Sequence, residues 1–137
     1  MRAEGALENP GLRMALFDTN ILISAMNGNK TAIKAIESFK EGVVSISILN
    51  KYELLKGRKF VDASIINGYI ANMKIYQLSD IAIEIASKIY VRLSNSGKMI
   101  DEFDILIAAV AIANDEKLVT FDKHFKNIIE GKIIVLE

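Results

Sequence analysis

Residues Met14 to Ile23 read Met-Ala-Leu-Phe-Asp-Thr-Asn-Ile-Leu-Ile, a continuous apolar run broken once by an acid and two turn-forming polar residues. Such a run reads as a buried strand that stops at Asp18 and hands over to a helix. Ligands of open parallel α/β sheets bind at the carboxyl edge of the strands, so an acid at a strand's C-terminal end is a site candidate. Capping of the next helix is the commoner meaning of one isolated Asp-Thr-Asn. The balance changes if acids from farther along the chain reach the same edge.

On the N-terminal side, Met1 to Arg13 hold the only proline and show no period, which reads as a flexible leader with Met14 as the natural start and 14–137 as the domain. On the other side, a helix is expected from about Asn20 to the turn Asn27-Gly28-Asn29. A second follows, with Ile33, Ile36 and Phe39 on one face and Gly42 as its stop. Val43 to Ser47 is β-branched and suits a buried strand, completing a β-α-β alternation. Ser47 or Ser45 is placed to cap Ile48 to Lys56, a helix expected to turn Ile48, Tyr52 and Leu55 inward and to end at Gly57. Glu53 lies on it, one to two turns from the sheet edge. Phe60 to Met73 reads as an amphipathic helix through Val61, Ile65, Tyr69 and Met73, and Lys74 to Leu78 as a strand. Ser79 caps a long helix with Ile85, Ile89 and Leu93 on one stripe and Glu84, Lys88 and Arg92 on the exposed side, stopped by Asn95-Ser96-Gly97.

The run Met99-Ile-Asp-Glu-Phe-Asp-Ile-Leu-Ile-Ala-Ala-Val-Ala-Ile-Ala113 is apolar on nearly all sides from Ile105 onward, so its helix belongs in the interior. Asp101 is a good N-cap for it. Asp104 falls in the first turn, where an acid complements the helix dipole, but its apolar neighbours leave it desolvated and in need of a partner. Lys117 to Phe121 is the next strand, and again an acid, Asp122, follows its end. A turn through Lys123-His124-Phe125 leads to a final strand, Ile133 to Leu136. The alternation, free of internal repeats, predicts one doubly wound α/β domain with its strand C-termini on a shared edge.

With 137 residues, 51% of them hydrophobic, the chain builds one domain with a real core. It has no cysteine, which excludes disulfides and thiolate metal sites and makes a reducing cytoplasm the default compartment. Seventeen Lys and Arg balance 17 Asp and Glu, so nucleic acid would be drawn by local patches or by a groove built through oligomerisation. No apolar run spans a bilayer and no secretory signal is present, so no membrane association is expected.

Asp18, Glu53, Asp104 and Asp122 are far apart in sequence, yet each is assigned to a strand end or helix mouth on that edge. Carboxylates held close together repel unless protons or a divalent cation neutralise them. Oxygen ligands without Cys and with a single His suit Mg²⁺ or Mn²⁺ rather than zinc. Such an ion orients a water, lowers its pKa and stabilises charge on a scissile phosphate, which points to phosphoester hydrolysis. A metal-dependent phosphatase of the haloacid dehalogenase type needs a second acid where this chain has Asn20. A non-catalytic phospho-receiver needs paired acids after its first strand, and Phe17-Asp18-Thr19 offers one.

Four ordered segments, Leu-Phe-Asp18-Thr-Asn, Ser-Ile-Leu-Asn-Lys-Tyr-Glu53-Leu, Phe-Asp104-Ile-Leu-Ile-Ala-Ala and Leu-Val-Thr120-Phe-Asp122-Lys-His-Phe, resemble the PIN-domain family and most of all its VapC-like toxins. Each is weak alone; the ordered set is specific and covers Met14 to the C-terminus. The resemblance implies a parallel sheet of about five strands and a Mg²⁺- or Mn²⁺-dependent endoribonuclease silenced by an antitoxin protein. It makes Asp18, Glu53 and Asp104 the core acids and metal ligands, Asp122 the fourth and more variable one, and Thr19 and Thr120 hydroxyls that bond the carboxylates or a metal-bound water. Asn20 matches a position that shapes the turn. Some relatives carry a further acid where this chain has His124, so the resemblance does not fix whether one ion or two is bound. It also implies a homodimer whose pairing builds an RNA groove that the antitoxin occupies; a non-catalytic PIN-like binding module is the alternative.

Around these acids, His124 reads as a general base or phosphate contact, or, more commonly for a single loop histidine, as an exposed side chain. Lys51, Lys56, Arg58, Lys98 and Lys123 are candidates to line an RNA path, though singly each is an ordinary solvated cation. Substrate contacts are expected near Asn67-Gly68 and the Lys56 to Lys59 turn. Tyr52 and Tyr69 are able to stack on bases, but their spacing fits core packing better.

Overall fold

A computed structural model describes residues 14–39, 43–57 and 62–137. The leader, the Gly42 stop, Arg58 and the start of the helix expected from Phe60 lie outside these. Four-residue β1 (Met14–Phe17) buries Ala15, Leu16 and Phe17 completely, as its unbroken apolar run requires of a central strand. It pairs in parallel with β2 (Val43–Ser47) on one side and with β4 (Lys117–Thr120) on the other. β3 (Lys74–Tyr76) and β5 (Ile133–Val135) complete an all-parallel sheet of five strands in the order β3-β2-β1-β4-β5. The chain winds outward from β1 to β3, then crosses to β4 and β5. The reversal between β1 and β4 opens a crevice at their carboxyl ends, where a doubly wound sheet binds its ligand.

Six α-helices and one 3₁₀ helix cover the sheet among the described residues. On the face of Ala15, Phe17, Ile46 and Val119 lie α1 (Thr19–Met26), α2 (Lys30–Glu37) and α4 (Ala63–Ala71), with Ile21, Leu22, Ala32 and Ile66 buried there. On the face of Leu16 and Leu118 lie α5 (Asp80–Ser96), α6 (Glu102–Ala113) and the 3₁₀ helix Lys123–Asn127. α3 (Ile48–Lys56) serves both: Leu54 enters the first core and Leu49 packs against the second. Side chains at successive strand positions point to opposite faces, so these short strands furnish two cores.

The helix ends follow their caps. Asp18, Asn29, Ser47, Asp62, Ser79, Asp101 and Asp122 each accept a backbone N–H at a helix start. Gly97 closes α5 with φ +68, and the Lys98 amide returns to the Leu93 carbonyl. α6 ends the same way with Asp115 in the left-handed position, φ 54.

Several expectations are corrected. Ser47 is the cap of α3, while Ser45 is buried and donates from Oγ to Glu116 Oε2 at 3.3 Å. α2 ends at Glu37, and Phe39 reaches the core from beyond the helix, with its ring edge-on to Phe17 at 5.6 Å. The stripe that α5 buries is Ala82, Ala86, Ile89 and Leu93, with Ile85 only half-buried. Arg92, expected on the solvent side, forks onto Glu130 at 2.5 and 2.9 Å and donates to the Asn127 carbonyl at 2.8 Å. In α4 only Ile66 is fully buried; Ile65 and Tyr69 are exposed, because this helix meets the core along a narrow line. Tyr52 turns outward rather than into the core.

Candidate active site

The β1–β4 crevice is floored by Asp18. Its backbone N–H bonds the Val119 carbonyl at 2.9 Å, extending the ladder by one residue, and this buries the side chain to 5% exposure. Oδ1 accepts the Thr19 amide at 2.9 Å and Oδ2 accepts the Thr120 hydroxyl at 2.7 Å. Thr120 in turn accepts the Asp122 amide at 3.0 Å and the Asn20 side-chain amide at 3.5 Å. Asn20 Oδ1 takes the Phe121 amide at 3.2 Å, so the first turn of α1 is pinned to the end of β4.

Glu53 arrives from α3 and accepts the Thr19 hydroxyl at 2.6 Å. Thr19 also accepts from Asn50 Nδ2 at 3.0 Å. Asn50 is fully buried, and its Oδ1 takes both the Ser47 amide and hydroxyl at 2.9 and 2.7 Å. This residue carries no role in the sequence reading. The signal lies in the Ser47-x-x-Asn50 spacing of a capping box, whose amide here has a spare donor for the site. Asp104 sits half-buried in the first turn of α6. Asp122 caps the 3₁₀ helix and has His124 beside it, Nδ1 at 3.1 Å from Oδ1, with the imidazole 79% exposed.

Burial pushes the Asp18 carboxyl up to about 6, helped by Glu53 and Asp122 and opposed by the Thr120 hydroxyl and the Thr19 amide. Asp104 is pushed up to about 7 by desolvation first, then by Asp18, Asp101, Asp122 and Glu53, all of them acids. The four predicted acids therefore share one electrostatic neighbourhood. They are not drawn into a finished ligand cage: among the described residues no group of three or more His, Asp or Glu side chains is gathered to hold a metal ion. Glu53 is turned to Thr19 and Asp18 to Thr120, and mutual repulsion favours that spread. The donor set nevertheless fits a hard divalent cation: it offers only carboxylate and hydroxyl oxygens, and two acids sit in a field that a cation would relieve. Gly68 and Tyr69 lie on α4 and line a cleft with Ile36, Val44 and Met73 that includes none of the four acids. No helix among the described residues is long and apolar enough to cross a membrane.

This architecture recurs in solved toxin-antitoxin structures. VapBC2 of Rickettsia felis, solved bound to a promoter DNA fragment, matches with a TM-score of 0.77 at 24% identity, over 90% of this chain and 98% of that one. A toxin-antitoxin complex from Klebsiella pneumoniae gives 0.71 at 26% identity, over 88% and 95%. VapBC-1 of nontypeable Haemophilus influenzae gives 0.76 at 20%, over 88% and 96%. No curated protein sequence matches the chain. The PIN domain model aligns with residues 15–130, from the strand before Asp18 to the segment after Asp122, so the crevice and its acids lie inside the match and the chain belongs to the PIN domain family.

Proposed function

We propose that this chain is a Mg²⁺- or Mn²⁺-dependent endoribonuclease and the toxin of a VapBC-type toxin-antitoxin pair. The observation that carries the reading is the electrostatic coupling of the four acids at the switch point: burial, Glu53 and Asp122 raise Asp18, and burial, Asp18, Asp122 and Glu53 are among the causes that raise Asp104. These four residues would hold the ion. When bound, it supplies an oriented, acidified water and charge stabilisation on the scissile phosphate.

The chain's own residues set the frame. Thr120 commits its hydroxyl proton to Asp18 and fixes that carboxylate's direction. Thr19 does the same for Glu53, with Asn50 locking the threonine from behind. Asn20 holds the β1 and β4 ends at one spacing, so the acids on either side of the crevice keep their separation. The exposed His124 imidazole stands beside Asp122 at the rim, within reach of a bound phosphate. Apolar side chains left exposed, Ile65 on α4 and Ile81, Ile83 and Val91 on α5, leave surface for an antitoxin and for a second copy of the chain.

The test is cleavage of structured and single-stranded RNAs by purified protein with Mg²⁺, Mn²⁺ or chelator, beside Asp18→Asn and Asp104→Asn. Cutting that needs the metal and disappears in both variants is expected, with a loss of at least about 100-fold. Equal cutting by the variants or in chelator would remove the acids from the chemistry.

A further inference from the structure

Each of the four acids directly follows an aromatic residue, and two of those aromatics, on α3 and α6, meet each other. Tyr52 precedes Glu53 on α3 and Phe103 precedes Asp104 on α6, and the two rings meet at 6.1 Å between centroids with a 54° tilt. The helices that carry these acids thus touch through an aromatic pair beside the crevice. Phe103 is half-buried and packs against the α5–α6 core. Tyr52 is 57% exposed, and Lys56, one turn further along α3, places Nζ 5.3 Å from its ring centroid. A ring held from behind by a second ring keeps its orientation while offering its surface to solvent. The ammonium over it sits on a flexible stem and is free to move to an incoming anion.

A flat π surface attached to an anion is the chemical complement of that arrangement, and a nucleotide of single-stranded RNA is both. Stacking on aromatics is how bases are held without sequence readout, with cations tracking the backbone. We propose that Tyr52, backed by Phe103, stacks a base of single-stranded RNA next to the scissile phosphate while Lys56 takes an adjacent phosphate. The platform rests on the nuclease reading and names how that site grips its substrate. It also reverses the expectation that Tyr52 packs in the core.

The test is equilibrium binding of single-stranded oligoadenylate, oligouridylate and a matching abasic strand to the full chain carrying Asp104→Asn, alone and combined with Tyr52→Leu, Tyr52→Phe or Lys56→Gln. Tyr52→Leu is expected to weaken oligoadenylate binding by about 5- to 150-fold, the span of base–aromatic stacking, and to leave the abasic strand unchanged. Tyr52→Phe keeps the affinity, and Lys56→Gln lowers the salt slope by about one contact. The chain has four tyrosines and no tryptophan, so tyrosine emission should be quenched by oligoadenylate in the parent and less so in Tyr52→Leu. Unchanged affinity in Tyr52→Leu overturns the platform alone. A dimer that falls apart in Tyr52→Leu by sedimentation also overturns it, showing that the ring is covered by a second copy. If the parent binds none of the RNAs, the nuclease reading fails with it.

Discussion

Asp104 is held neutral up to about pH 7 by desolvation and four neighbouring acids, so ionising it in the metal-free protein works against folding. Asp104→Asn removes that ionisation while keeping size and polarity. The variant should be more stable than the parent at about pH 8, by roughly 1–2 kcal/mol after allowance for solvent screening. The gain should shrink as pH falls and vanish at about pH 3.5, where the folded and unfolded parent both hold the proton. Urea unfolding of chelated protein at the two pH values measures it, and a gain that persists undiminished at the lower one would assign it to packing instead. Asp18 and Asp104 were legible in the sequence because each breaks an apolar run at an element end. Tyr52 was not, because a helix packed against two cores buries more than one stripe, and i, i+4 spacing from Ile48 does not say which strip is left over.

At the scale of elements, Gly131 shows what fixes β5 against α6. A methyl group added there would lie 2.5 Å from Ile112 Cγ1 and 3.0 Å from its Cδ1, too close to the branch of that side chain for a simple rotamer change. Gly131→Ala should therefore cost about 1–3 kcal/mol in chemical denaturation, and a neutral result would mean that the segment before β5 yields without strain. Strand and helix order were readable from alternation and from caps such as Ser79 and Asp101. The burial of α5 and α4 was less so. Ile81, Ile83 and Val91 are apolar yet face outward, whereas small Ala82 and Ala86 lie in the tight α5–α6 contact. Hydrophobicity marks a helix's possible faces; the radius available at the contact selects one.

For the molecule as a whole, the raised acids set a pH dependence. Below about pH 4 folded and unfolded chains both hold these protons. Between there and about pH 7 the folded chain keeps protons on Asp18 and Asp104 that the unfolded chain releases. Stability therefore falls as pH rises through that window, with Asp18 alone contributing about 3 kcal/mol. Added Mg²⁺ should restore several degrees of melting temperature near pH 7.5 and little near pH 5, since the ion competes with the same protons. Thermal melts with Mg²⁺ or chelator at both pH values check this; a metal effect equal at both would detach it from these carboxylates.

The central position of β1 has one more consequence. Its first neighbour, β2, follows within about thirty residues, but the bond from Thr120 to Asp18 joins positions 102 residues apart. A chain still being synthesised carries Asp18 and Glu53 long before it carries the strand that orients the first of them. Contacts of such separation close late. The crevice is then complete only once residues through Asp122 have left the ribosome, and a translation product cut short before β4 carries Asp18 without the hydroxyl that orients it.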